Sequence, residues 1–126
     1  SQRKLRAVYK KIISLRLSEK AFSEGTSYDL MWVNYDNESF NCEKQFAFLR
    51  SYKKELFVVV VNFDDKDASL AIKIPQHAFD FLKIAFKKNA SWTDALTGKS
   101  FKQALSSESE FVVNVDASSG LVLKCV

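Results

Sequence analysis

The stretch Glu55-Leu-Phe-Val-Val-Val-Val-Asn-Phe-Asp-Asp-Lys-Asp-Ala-Ser-Leu-Ala-Ile-Lys-Ile-Pro75 decides the fold. Leu56 to Val61 is unbrokenly apolar and rich in β-branched residues, the pattern of a strand buried on both faces. Asn62 to Asp67 breaks the run with turn formers. Leu70, Ile72 and Ile74 then alternate with Ala71 and Lys73, as in a strand with one wet face. Two strands and a turn leave no room for chemistry here, so the chain is built around a sheet.

Outward from this segment the pattern is mostly strand. Tyr28, Leu30 and Trp32 share one face of a segment after Gly25, with Met31 and Val33 on the other. Asn34 to Lys44 is a polar loop. Gln45 to Ser51 is a strand with Phe46 and Phe48 on one face, and Tyr52 to Glu55 is a charged hairpin turn. Ala78 to Phe86 is apolar without a clear period and reads as a strand or a short helical turn. Ser91 to Ala95 is a short strand running into the turn Leu96-Thr-Gly-Lys99, with a continuation over Phe101 to Leu105. Phe111, Val113 and Val115 alternate with Val112, Asn114 and Asp116, and Asp116 to Gly120 turns into the last strand, Leu121 to Val126. The expected fold is all-β: an antiparallel Greek-key β-sandwich of seven to eight strands.

One α-helix is expected before it. Leu5, Val8, Tyr9, Ile12 and Ile13 fall at helical spacing with lysines and arginines on the other faces. Ser1 has no capping-box partner, and positive charges at the helix start oppose the macrodipole, so the helix is expected to belong to something longer. Its apolar face must pack on a partner to be ordered, either the sandwich or a second copy of the chain.

Composition narrows the function. The 126 residues fit one domain, and 47% hydrophobic residues with eleven Phe supply a core. No apolar stretch approaches the ~20 residues of a membrane span, so no membrane partner is expected. The net charge of +4 is uneven: residues 1–20 carry seven basic residues against Glu19, a balance of +6, leaving −2 for the rest. A basic stripe on one amphipathic helix is a solvated face, and no nucleic-acid motif accompanies it, so no nucleic-acid partner is expected. Cys42 and Cys125 read as unpaired thiols.

Candidate chemistry is sparse. His77 is the sole histidine and lies in a turn with no Cys or second His near it. Asp64, Asp65 and Asp67 lack calcium-loop spacing and read as a solvated hairpin turn. No catalytic, cofactor-binding or metal-ligating residue is assigned. The candidate ligand contacts are aromatic, because sugar rings stack on aromatic faces: Trp92 and Tyr35 border polar segments, while the alternation of Trp32 with Leu30 and Tyr28 favours the core for that residue.

Several stretches resemble a known family. Leu5-Arg-Ala-Val-Tyr-Lys-Lys-Ile-Ile-Ser-Leu-Arg16 followed by Ala21-Phe-Ser-Glu-Gly25 resembles the last barrel helix and exit of the α-amylase family of glycoside hydrolases. Phe46-Ala-Phe-Leu-Arg50, Leu56 to Asn62 with Phe63, Asp94-Ala-Leu-Thr-Gly98 and Gly120-Leu-Val-Leu-Lys124 are similar, in order, to pieces of that family's C-terminal all-β domain. The resemblance implies residues 1–24 as the terminal helix of a truncated catalytic barrel and 25–126 as the C-terminal sandwich. The family's catalytic carboxylates lie at the ends of barrel strands, upstream of any residue here. The implied role is noncatalytic: covering and stabilising the barrel of a parent that acts on α-glucans, with that barrel as partner. The alternative is a carbohydrate-binding module contacting α-glucan through Trp92, Tyr35 and Trp32.

Overall fold

A computed structural model describes residues 25–53 and 55–125. The helix expected over residues 5–16, and with it the self-association expected through that helix, lie outside the described residues. Eight strands form two antiparallel sheets. β1 (Thr26–Asp29), β2 (Gln45–Tyr52), β3 (Glu55–Asn62), β5 (Ser91–Asp94), β6 (Ser100–Lys102) and β8 (Ser119–Cys125) make a six-stranded sheet in the order β1-β2-β3-β8-β5-β6. β4 (Ala68–Ile72) and β7 (Phe111–Val115) make a two-stranded one. Among the described residues a single short helix, α1 (Gln76–Leu82), joins β4 to the second half.

The valine run is the centre of the large sheet. β3 pairs with β2 on one side and β8 on the other, so its backbone groups are satisfied along both edges. Leu56, Val58 and Val60 project into the main core, with Ala47, Leu49 and Leu123 beside them and Leu70, Ile72, Phe111, Val113 and Val115 of the small sheet packed there too. Phe57, Val59 and Val61 project the other way and are buried with Val122, with Phe48, Tyr52 and Leu96 packed against them. Each face of one strand therefore serves a separate apolar cluster, which explains the lack of alternation.

Two local expectations are corrected. The segment Asn62 to Asp67 is not a hairpin turn, because β3 and β4 lie in different sheets; it carries the chain across the core. The strand after Gly25 stops at Asp29 rather than reaching Val33, since the Asp29 carboxylate accepts the Met31 N–H at 2.8 Å and turns the chain. In β2 the side chains buried most deeply are Ala47 and Leu49, while Phe46 and Phe48 sit on the opposite face. The ambiguous stretch after Pro75 is helical. It ends at Lys83, whose φ of 55° is left-handed, with the N–H groups of Lys83 and Ile84 both bonding the Phe79 carbonyl.

Two buried asparagines tie the layers together. Asn34 reproduces a strand's backbone pairing with its side chain: Oδ1 accepts from Lys73 N at 2.8 Å and Nδ2 donates to Lys73 O at 3.0 Å. Asn37 Nδ2 donates to Ala71 O at 2.7 Å, and Ala71 N donates to Ser39 O. The polar loop thus covers the outer edge of β4, which would otherwise expose unpaired groups. Asn62 does the same for the crossover. Its Oδ1 accepts from Gln45 Nε2 and Asp64 N, and its Nδ2 donates to Lys66 O at 2.9 Å.

Candidate functional site

The three aromatic candidates separate. Trp92 is sealed in the main core, its indole N–H donating to Gln103 O at 2.8 Å and its ring edge-on to Phe111 at 5.0 Å. It is corrected from ligand contact to core residue: the polar neighbours Ser91 and Thr93 are the outward alternates of β5 and do not mark a surface loop. Trp32, expected on the core face with Tyr28 and Leu30, is 58% exposed because the chain has already turned after Asp29. Tyr35, in the same turn, is 77% exposed.

Trp32 does not stand alone. Tyr28 on β1 is buried, and its hydroxyl lies 2.8 Å from His77 Nδ1 on α1. The Tyr28 ring is 5.7 Å from the imidazole and 5.9 Å from Phe81, and His77 and Phe81 lie within 16° of parallel at 6.1 Å. Burial raises the Tyr28 phenol above its ordinary pKa; a hydrogen bond from Trp32 opposes this and the charge of Asp29 adds to it. His77 is a surface residue, as the sequence suggests, but an aromatic neighbour fixes it. The signal that would have found this grouping is the spacing His77, Phe81 at i, i+4 on a helix, which the irregular apolar pattern of 78–86 obscures.

The acidic residues are used structurally. Asp64 pairs with Lys44 at 3.6 Å, and the Asp67 carboxylate accepts the Ala117 N–H at 2.8 Å. Among the described residues no group of three or more His, Cys, Asp or Glu is placed to hold a metal ion. Asp94 is buried and accepts from the Leu96 and Val122 N–H groups and the Thr97 hydroxyl, while Gly98, at φ 80°, closes the turn. That carboxylate, bonded through both oxygens, locks the β5–β6 turn onto β8. Beside it, β5, β6, β7 and β8 bound an open cleft of about 530 Å³, with Phe101, Leu121 and Leu123 as apolar walls and Asn114, Asp116 and Lys99 at its polar margin. Cys42 and Cys125 are free thiols, and burial followed by the Asp29 charge pushes the Cys42 thiol up.

No family model matches the sequence, and no curated protein matches it. Solved structures do match. An α-amylase from Geobacillus thermoleovorans, solved with acarbose, is 18% identical with a TM-score of 0.63 over 93% of this chain and 22% of its own. An α-amylase from Anoxybacillus is 15% identical, TM-score 0.62, over 92% of this chain and 21% of its own. A noncanonic maltogenic α-amylase from Thermotoga neapolitana is 13% identical, TM-score 0.63, over 90% and 23%. The fold is thus one found within α-amylases, and this chain spans about a fifth of their length.

Proposed function

We propose that the chain is the noncatalytic C-terminal β-sandwich domain of an α-amylase-like glycoside hydrolase acting on α-glucans, covering and stabilising the parent's catalytic barrel. Residues 1–24 are assigned to the last barrel helix and 25–126 to the sandwich. The observation that carries this reading is the second apolar face of the large sheet. Phe57, Val59, Val61 and Val122 are buried on it, and it runs outward to Phe46, 41% exposed and cross-strand from Val61, and to Phe63, 43% exposed. An apolar sheet face that reaches solvent beside a buried cluster suits a large protein partner. The fold match to about a fifth of several α-amylases supports the same parent. The purified chain should release no reducing sugar from starch or maltooligosaccharides, whereas the full-length parent should. Turnover by the isolated chain that survives repurification would overturn the assignment.

A second reading, direct contact with α-glucan, is favoured by the exposure of Trp32 and Tyr35 on one turn. Calorimetric titration with maltoheptaose tests it, heat of binding being expected and its absence counting against it.

A further inference from the structure

Tyr28 on β1 meets His77 and Phe81 on α1 in a cluster of three rings, and the turn that follows β1 carries Trp32. Tyr28 is rooted in the core, whereas Trp32 and Phe81 are more than half exposed and His77 is exposed beside them. One hydroxyl organises the group. The Tyr28 hydroxyl and His77 Nδ1 share a hydrogen bond at 2.8 Å, which leaves His77 Nε2 as the second polar atom of the imidazole. The turn that carries Trp32 is held from beneath by buried Asn34, which bonds Leu30 O and both backbone groups of Lys73. The rings are therefore set in place before any ligand arrives.

The chemistry of the surface selects its occupant. The exposed large apolar side chains here are aromatic; among the described residues the exposed aliphatic one is Val112, on β7. A docking face for an apolar helix would present aliphatic side chains, whereas ring faces edged with N–H and O–H groups suit a ligand with C–H faces and hydroxyl edges. Charge points the same way. The carboxylate of Asp29 acts on Tyr28, and Asp80 lies between Phe79 and Phe81 on α1, so an anionic ligand such as a nucleotide is disfavoured against a neutral one.

We propose that the Tyr28, His77 and Phe81 cluster and the neighbouring Trp32 form a sugar-binding surface for pyranose units of an α-glucan, which stack on Trp32 and Phe81 and hydrogen-bond with His77 Nε2. The pyranose class follows from the rings; the α-glucan rests on the second reading above.

The chain supplies its own probes. It has two tryptophans and one histidine, and Trp92 is sealed, so a ligand-induced change in emission reports Trp32 and the imidazole ¹⁵N signals report His77. Maltoheptaose and cellohexaose are titrated in parallel by calorimetry, fluorescence and NMR. Maltoheptaose is expected to move the emission and the His77 Nε2 resonance saturably with one Kd, and Trp32→Ala and Phe81→Ala should each weaken binding at least about fivefold. Val112→Ser, on the other sheet, should leave it unchanged, and circular dichroism with retained Trp92 emission checks that the variants fold. Maltoheptaose binding that persists undiminished in both aromatic variants would overturn this site while leaving the glucan reading standing. Absence of heat and spectral change with either sugar would overturn both. Preference for cellohexaose would overturn the α-glucan assignment.

Discussion

At the scale of single residues, the structure depends on polar side chains buried at the ends of apolar strands. Asn62 terminates the valine run, and in sequence it looks like any turn former. Its burial became visible only once β7 and β8 were placed beside it, since its amide reaches backbone carbonyls at Val115 and Asp116, more than fifty positions away. Asn62→Ala should destabilise the chain by about 2–4 kcal/mol, because Gln45 Nε2, Asp64 N and Lys66 O all lose a partner in or near the core. A urea midpoint shifted by less than about 1 kcal/mol in free energy would mean that water replaces the amide. Asp64, half-buried just past the strand end, acts through its charge. Desolvation raises its carboxyl, but hydrogen bonding with Asp65 and the Lys44 charge outweigh it, and the pKa is lowered. A carboxyl lowered on folding contributes stability above its unfolded pKa and loses it as pH falls through the folded one, so the loss sets in below about pH 4. Asp64→Asn should flatten the fall of melting temperature over that range, and an unchanged slope would assign the acid sensitivity elsewhere.

At the scale of elements, period and burial explain both what was legible and what was not. β4 and β7 each bury one face, and their period of two marks them in the sequence. β3 buries both, and its continuous apolar run marks it equally well. The pattern misleads where a local polar bond overrides the period, as at Asp29, and where the outward alternates of a strand resemble a surface loop, as around Trp92. The position of β3 between β2 and β8 makes it the element least tolerant of charge. Val60 is fully buried, with Ala47 and Leu121 as its cross-strand partners. Val60→Asp should abolish folding, because an unpaired carboxylate in the sheet interior costs several kcal/mol out of a total of roughly 5–15 kcal/mol. A soluble Val60→Asp protein with a cooperative thermal transition would show that the core rearranges around the charge.

At the scale of the whole molecule, the sequence indicated the number of strands and their antiparallel setting but not the division six to two. That division depends on a crossover, residues 63–67, whose composition matches that of a hairpin turn. It matters for function because a two-stranded sheet covers one face of the six-stranded sheet, while the other carries the separate apolar cluster for which a barrel partner is proposed. Phe46 tests what that partner is. It packs on Phe48 at a ring distance of 5.7 Å while keeping 41% of its surface exposed, so Phe46→Lys should cost the isolated chain about 1–1.5 kcal/mol through the buried part of the ring. In the full-length parent the same residue is expected to lie against the barrel, where burying the rest of its ring contributes about 1 kcal/mol and a lysine adds the cost of desolvating an ammonium. The full-length Phe46→Lys protein should therefore lose about 1 kcal/mol or more beyond the loss in the isolated chain, and be cut sooner by protease between barrel and sandwich. A loss in the full-length protein no larger than in the isolated chain would place the barrel contact on another surface of the sandwich.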